Sequence, residues 1–139
     1  MVRPTYETEA DLSREENIAR YAARRWDCAM RKQDKYNQFD YLIIKGKDVK
    51  AFVEIRTRTH IKGTYPTCFV SANKVQAAFS MRLATGLPCI FLVGWKDCIG
   101  WASLTEIYKI TMGGRTDRGD PADIEAVAEI PIEKFNIFK

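Results

Sequence analysis

The feature that most limits the fold is the apolar run from Leu87 to Trp95, interrupted only by Pro88 and Gly94. A bilayer span needs about 20 apolar residues, so this run is far too short to cross a membrane and reads instead as a buried central strand over Cys89 to Gly94. The residues before it predict a helix over Ala72 to Thr85: Ser71 is a capping residue, Val75, Ala78, Phe79 and Leu83 keep helical spacing, and Gly86 and Pro88 end the segment.

Upstream, Thr8 or Asp11 can cap a first helix running to about Met30, with Leu12, Ala19, Ala22, Ala23, Trp26 and Met30 on its apolar side. Glu15 falls on that stripe, whereas Glu16 lies about 100° further round. An acid on an apolar face needs a reason. Two β-rich runs follow, Tyr41 to Lys45 and Val49 to Arg58, joined by the turn Gly46-Lys47-Asp48, which predicts an antiparallel pair. Side chains alternate along a strand, so Asp40, Leu42 and Ile44 share one face of the first run, and Phe52, Glu54, Arg56 and Arg58 share one face of the second. Beyond a loop over Thr59 to Thr64, which holds His60, shorter strands are expected at Thr67 to Val70, Cys98 to Leu104 and Ala126 to Ile132. A flexible segment is expected from Gly113 to Pro121.

With 139 residues, 46% of them hydrophobic and 12% aromatic, the chain suits a single domain spanning residues 1–139. A net charge of +4 and a pI near 8.9 are compatible with a polyanionic partner without demanding one. Arg20, Arg24, Arg25, Arg31, Lys32 and Lys35 crowd one third of the chain, either as a solvated helix face or as a surface that tracks phosphates. Cys28, Cys68, Cys89 and Cys98 form no CxxC pair and stand behind no secretory signal, so reduced, mostly buried thiols are expected in a soluble, cytoplasmic protein.

The order helix, strand, strand carrying Glu-x-basic, strand, helix, strand resembles the core of the PD-(D/E)XK nuclease superfamily, in its small phage-type or Holliday-junction-resolvase-like form. The residues that carry the resemblance are Phe39-Asp40 and Val53-Glu54-Ile55-Arg56. An acid on the first helix, Tyr65-Pro66 leading into a strand, Lys74 at the start of the second helix and Thr85-Gly86-Leu87-Pro88 before the apolar strand complete the pattern. The resemblance implies an α/β fold with a central mixed sheet flanked by helices, a restriction-endonuclease-like core. It further implies Mg²⁺, with Mn²⁺ as a substitute, bound by Asp40, Glu54 and the Ile55 carbonyl, and a DNA substrate, branched or single-stranded included. A homo-oligomer is also compatible with it.

Hydrolysis of a phosphodiester needs charge neutralised on the phosphate and water made nucleophilic, and a divalent ion on two carboxylates serves both. This sequence departs from the pattern at Arg56, where the family has lysine. A guanidinium can clamp phosphate and stabilise charge but remains protonated, so Lys74 is the candidate substitute lysine. Glu15 is preferred to Glu16 as the helix acid nearest the metal. Arg58, Lys62, Arg24, Arg25, Arg115 and Arg118 are candidate contacts to nucleic acid. His60 as general base is weaker than His60 as polar surface. For Trp95, Trp101 and Tyr65, core packing is favoured over base stacking. Two rivals stay open: a nucleic-acid-binding protein that kept the fold and lost catalysis through Arg56, and an interaction protein in which the acids are incidental.

Overall fold

The computed structural model describes residues 9–34, 36–114 and 124–139, and side-chain environments within these for residues 14–34, 36–113 and 125–139. The elements are α1 (Glu9–Trp26), β1 (Ala29–Lys32), β2 (Tyr41–Lys45), β3 (Asp48–Thr57), β4 (Thr67–Ser71), α2 (Ala72–Thr85), β5 (Cys89–Gly94), β6 (Ile99–Ser103), β7 (Lys109–Gly114), β8 (Ile124–Pro131) and β9 (Asn136–Ile137). No helix among the described residues is long and apolar enough to cross a membrane.

The main sheet has the order β1-β2-β3-β5-β6-β9. Only β3 and β5 run parallel; the hairpin β2-β3 and the other neighbours are antiparallel. A parallel pair requires a crossover, and here the chain makes it through β4 and α2. The alternation of β3 sends Val53 and Ile55 to α1, where they pack with Ile18, Ala19, Ala22 and Leu92. The opposite face carries Phe52, Phe91 and Val93 against Val75 and Ala78 of α2. Because β5 is covered on both faces, Phe91, Leu92 and Val93 are all fully buried, which explains its unbroken apolar run.

The end of α1 departs from the sequence expectation. The helix stops at Trp26 rather than Met30, and Ala29 to Lys32 instead pair with β2. Asp27 takes a left-handed conformation with φ of 51°, while the N–H of Cys28 donates to Ala23 O and that of Asp27 to Arg24 O. These bonds form a C-terminal cap usually built on glycine. An aspartate in that region costs about 1 kcal/mol relative to glycine, so Asp27→Gly is expected to stabilise the fold by roughly that amount. Urea unfolding of both proteins at one pH measures it; a destabilised variant would show that the Asp27 side chain has a role outweighing its strain.

A second, three-stranded sheet, β4-β8-β7, lies on the α2 side; strands were expected near β4 and β8, but neither β7 nor the pairing of the three into a separate sheet was. Its strand β7 includes Gly113 and Gly114 from the segment expected to be flexible. A Cβ at Gly113 would stand 2.9 Å from Val127 Cγ2, so the glycine admits the close approach of β8. The remainder of the expected flexible segment lies outside the described residues. On α2, Ser71 accepts from Asn73 N–H and Gly86 closes the helix at φ 74°, both as expected. Val75 and Ala78 are buried, but Phe79 is part exposed and Leu83 is 90% exposed, because the second sheet rotates the buried stripe of α2 toward Val75, Ala78, Ala77 and Met81.

Candidate functional site

Asp40 stands at the entry to β2, and its Oδ2 accepts the Ile55 backbone N–H at 2.9 Å. This bond holds the carboxylate beside the middle of β3 while the Asp40 N–H donates to Val53 O. Glu54, next along the strand, points to the α2 side and is 1% exposed. Burial is the main reason its carboxyl is pushed up from 4.5 to about 7; the Asp40 charge adds to the rise, whereas Arg56 and Lys74 oppose it. The Arg56 guanidinium reaches Glu54 Oε2 at 2.5 Å, the Ile55 carbonyl oxygen at 2.9 Å and Asp40 Oδ2 at 3.6 Å.

Thus the carboxylates of Asp40 and Glu54 and the Ile55 carbonyl all face one cation, the side chain of Arg56. Lys74, from the first turn of α2, stands 3.4 Å from Glu54 Oε1 and over the Phe39 ring, but its ammonium donates to the Gln38 carbonyl. Glu54 Oε1 is fully buried, and the Lys74 ammonium is the charge that faces it. A carboxylate buried this deeply is costly even when paired. Two carboxylates and a backbone carbonyl form a hard oxygen set of the kind that suits Mg²⁺, so these residues fit such an ion.

Glu15 is buried, as its place on the apolar stripe implied, and pairs with Lys32 Nζ at 3.0 Å. Glu16 is exposed and bridges to Arg20. Burial alone would lower the Lys32 ammonium, yet the hydrogen bond and charge of Glu15, with the charges of Tyr41 and Asp40, raise it. Glu15 thus lies on the α1 side with Lys32 as its partner. Among the described residues no three His, Cys, Asp or Glu side chains gather closely enough to hold one ion. Lys32 was legible only as part of a basic run, since nothing in the sequence announces the strand that carries it back to α1.

The other candidates divide by place. Arg58 and Lys62 line a cavity at the far end of the β3 row, together with His60 and Tyr65. His60 Nδ1 contacts the Ile61 carbonyl, not either carboxylate of the site. Arg25 turns to the Tyr21 hydroxyl and the rings of Tyr21 and Phe138, and Arg24 is exposed in the same last turn of α1; neither joins Asp40 and Glu54. Arg115 and Arg118 lie outside the described residues. Trp95 is buried and Trp101 packs edge-on against Trp26, as the core reading expected, but Tyr65 is 57% exposed and is no core residue.

A mixed six-stranded sheet with α1 on one face and α2 on the other is the restriction-endonuclease-like nuclease fold. The fold is also that of a solved Holliday junction resolvase, Hjc of Archaeoglobus fulgidus, at a TM-score of 0.53 and 12% identity over 85% of this chain and 84% of that one. Residues 1–138 match the model of the family described as "Phage putative PDDEXK endonuclease", and the chain belongs to that family. No curated protein matches it. The family makes the chain a nuclease by class.

Proposed function

We propose that the chain is a divalent-metal-dependent DNA endonuclease in which Asp40, Glu54 and the Ile55 carbonyl hold Mg²⁺ while Arg56 and Lys74 engage the phosphate. The observation that carries this reading is Glu54: a carboxylate 1% exposed, with one oxygen ion-paired to Lys74 and the other to Arg56, facing the Asp40 carboxylate at the entry to the neighbouring strand. A stability-driven sequence has no use for such a group. The bound ion would polarise the phosphate and lower the pKa of its water. The chain's own part is to fix the oxygens, through the Ile55 N–H to Asp40 bond, and to set positive charge at both ends of Glu54. Arg56 cannot deprotonate water, so its work is electrostatic.

A second reading has its own observation: Arg56 already satisfies the oxygens that an ion needs, as a built-in cation would in a protein that keeps the fold without catalysis. Purified protein incubated with plasmid, linear and branched DNA in Mg²⁺, Mn²⁺ or EDTA separates the two. The nuclease reading expects cutting with either metal and none in EDTA. No cutting of any substrate with any divalent ion would overturn it. The resolvase likeness makes a four-way junction the branched substrate to include.

A further inference from the structure

We infer that the cavity at the end of the β3 row is a subsite for one unpaired base of the DNA, an inference that rests on the nuclease reading above. Side chains two apart on a strand share a face and stand about 6–7 Å apart, so Glu54 and Arg56 form a row on β3; Arg58, one residue past the strand, still bonds through its N–H to Gly94 O at 2.9 Å and so extends the row to about 13 Å from Glu54. Arg58 is also where the cavity begins. The cavity is about 460 Å³, within the range of pockets that hold small molecules, and is lined by Arg58, His60, Lys62, Tyr65, Phe69 and Ile132 among others.

Its composition is specific. Tyr65 and Phe69 are 57% and 43% exposed, so two aromatic rings are offered to solvent beside a strand face that carries charge. The His60 ring meets Tyr65 edge to face, with ring centroids 4.9 Å apart. The Arg58 guanidinium, at the cavity wall, donates by NH2 to Phe69 O at 2.9 Å and by NH1 to Thr57 O at 3.3 Å, two bonds that restrict its plane. Two cations, Arg58 and Lys62, line the cavity, and among the described residues no acidic side chain does.

Aromatic rings and a planar guanidinium stack any base, and adjacent cations hold the phosphates that flank it. A simple anion would leave the rings without purpose, and an apolar peptide would leave the cations unpaired. A base inside a duplex cannot present its face to a side chain without leaving the stack, so the occupant is a base already unpaired, a short run of nucleotides from the phosphate at Glu54. The site then favours DNA with single-stranded stretches, such as bulges, flaps and gaps.

Fluorescence anisotropy in EDTA at fixed salt tests the inference without cleavage. The ligands are a paired duplex, the same duplex with an unpaired run, and a third whose unpaired nucleotides are abasic. The parent should prefer the unpaired run. Tyr65→Ala should cut that preference about tenfold, the effect of losing one stacked aromatic, while Tyr65→Phe keeps it. Abasic nucleotides should remove the preference from the parent and leave Tyr65→Ala unaffected. Thermal melts of the variants show whether each is folded. A preference unmoved by Tyr65→Ala or by abasic nucleotides would overturn the inference. A parent that cuts DNA in Mg²⁺ yet shows no preference overturns it alone, whereas a parent that neither binds nor cuts DNA overturns the nuclease reading with it.

Discussion

Glu54→Gln is expected to reduce metal-dependent cleavage to background and, at pH 8 without metal, to make the fold more stable. Both effects come from one carboxyl. Glutamine keeps the shape but supplies no negative charge to hold an ion. In the parent, the folded carboxyl is raised from 4.5 to about 7, chiefly by burial. A raised acid contributes its stability fully below about pH 4.5 and loses it as pH rises through about 7, because the folded state must then carry the charge that burial disfavours. The rise, which is already net of the attraction of Arg56 and Lys74, corresponds to about 3 kcal/mol.

The two proteins should therefore unfold alike in urea near pH 4.5 and diverge at pH 8, with the glutamine variant the more stable. Added Mg²⁺ should stabilise the parent at pH 8 and leave the variant unmoved, and parental cleavage should rise with pH through about 7 as Glu54 ionises. Plasmid nicking measured beside the urea series checks both halves. Cutting at the parental rate would remove Glu54 from the chemistry; a variant less stable at pH 8 would show that its ion pairs outweigh its burial.

Much of this was legible because the site residues sit on strongly patterned segments. The alternation of Val53-Glu54-Ile55-Arg56 within an apolar strand announces a buried acid and its basic neighbour, and Ser71 and Gly86 mark α2 by their capping chemistry. What was missed lacks local signals. The end of α1 turns on Asp27 in a conformation usually given to glycine, so the apolar spacing continues past the real boundary to Met30. Strand β7, Lys109–Gly114, ends in two glycines that read as a loop until β8 is seen to need the space at Gly113. Phe79 and Leu83 keep helical spacing, yet only the second sheet decides which side of α2 is buried. In the site, the pairing of Lys32 with Glu15 and the donation of Lys74 to the Gln38 carbonyl depend on contacts between distant segments, which no spacing rule reports.

Arg56 gives the other large expected effect, and it acts on the site in two opposed ways. Its guanidinium spans Glu54 Oε2, the Ile55 carbonyl and Asp40 Oδ2, so an ion entering that oxygen set must displace it. Once displaced, it is a fixed positive charge beside the phosphate. Arg56→Ala removes both the obstacle and the charge: half-saturation by Mg²⁺ should fall, while the maximal cleavage rate should drop by about one or more powers of ten. Arg56→Lys keeps the charge but replaces a planar fork that bridges several oxygens by a single ammonium. It should retain or raise the maximal rate and still lower the Mg²⁺ needed. Initial nicking rates across a Mg²⁺ titration, repeated at several pH values from about 7 to 9 because losing the Arg56 charge pushes the Glu54 carboxyl further up, separate the maximal rate from the metal requirement. Arg56→Ala cutting as fast as the parent would remove Arg56 from the chemistry, and an unchanged Mg²⁺ requirement in both variants would show that the guanidinium does not compete for those oxygens. An inert parent beside an active Arg56→Lys would instead mark the protein as a nuclease disabled at this one side chain, with Asp40, Glu54 and the Ile55 carbonyl still able to take the metal.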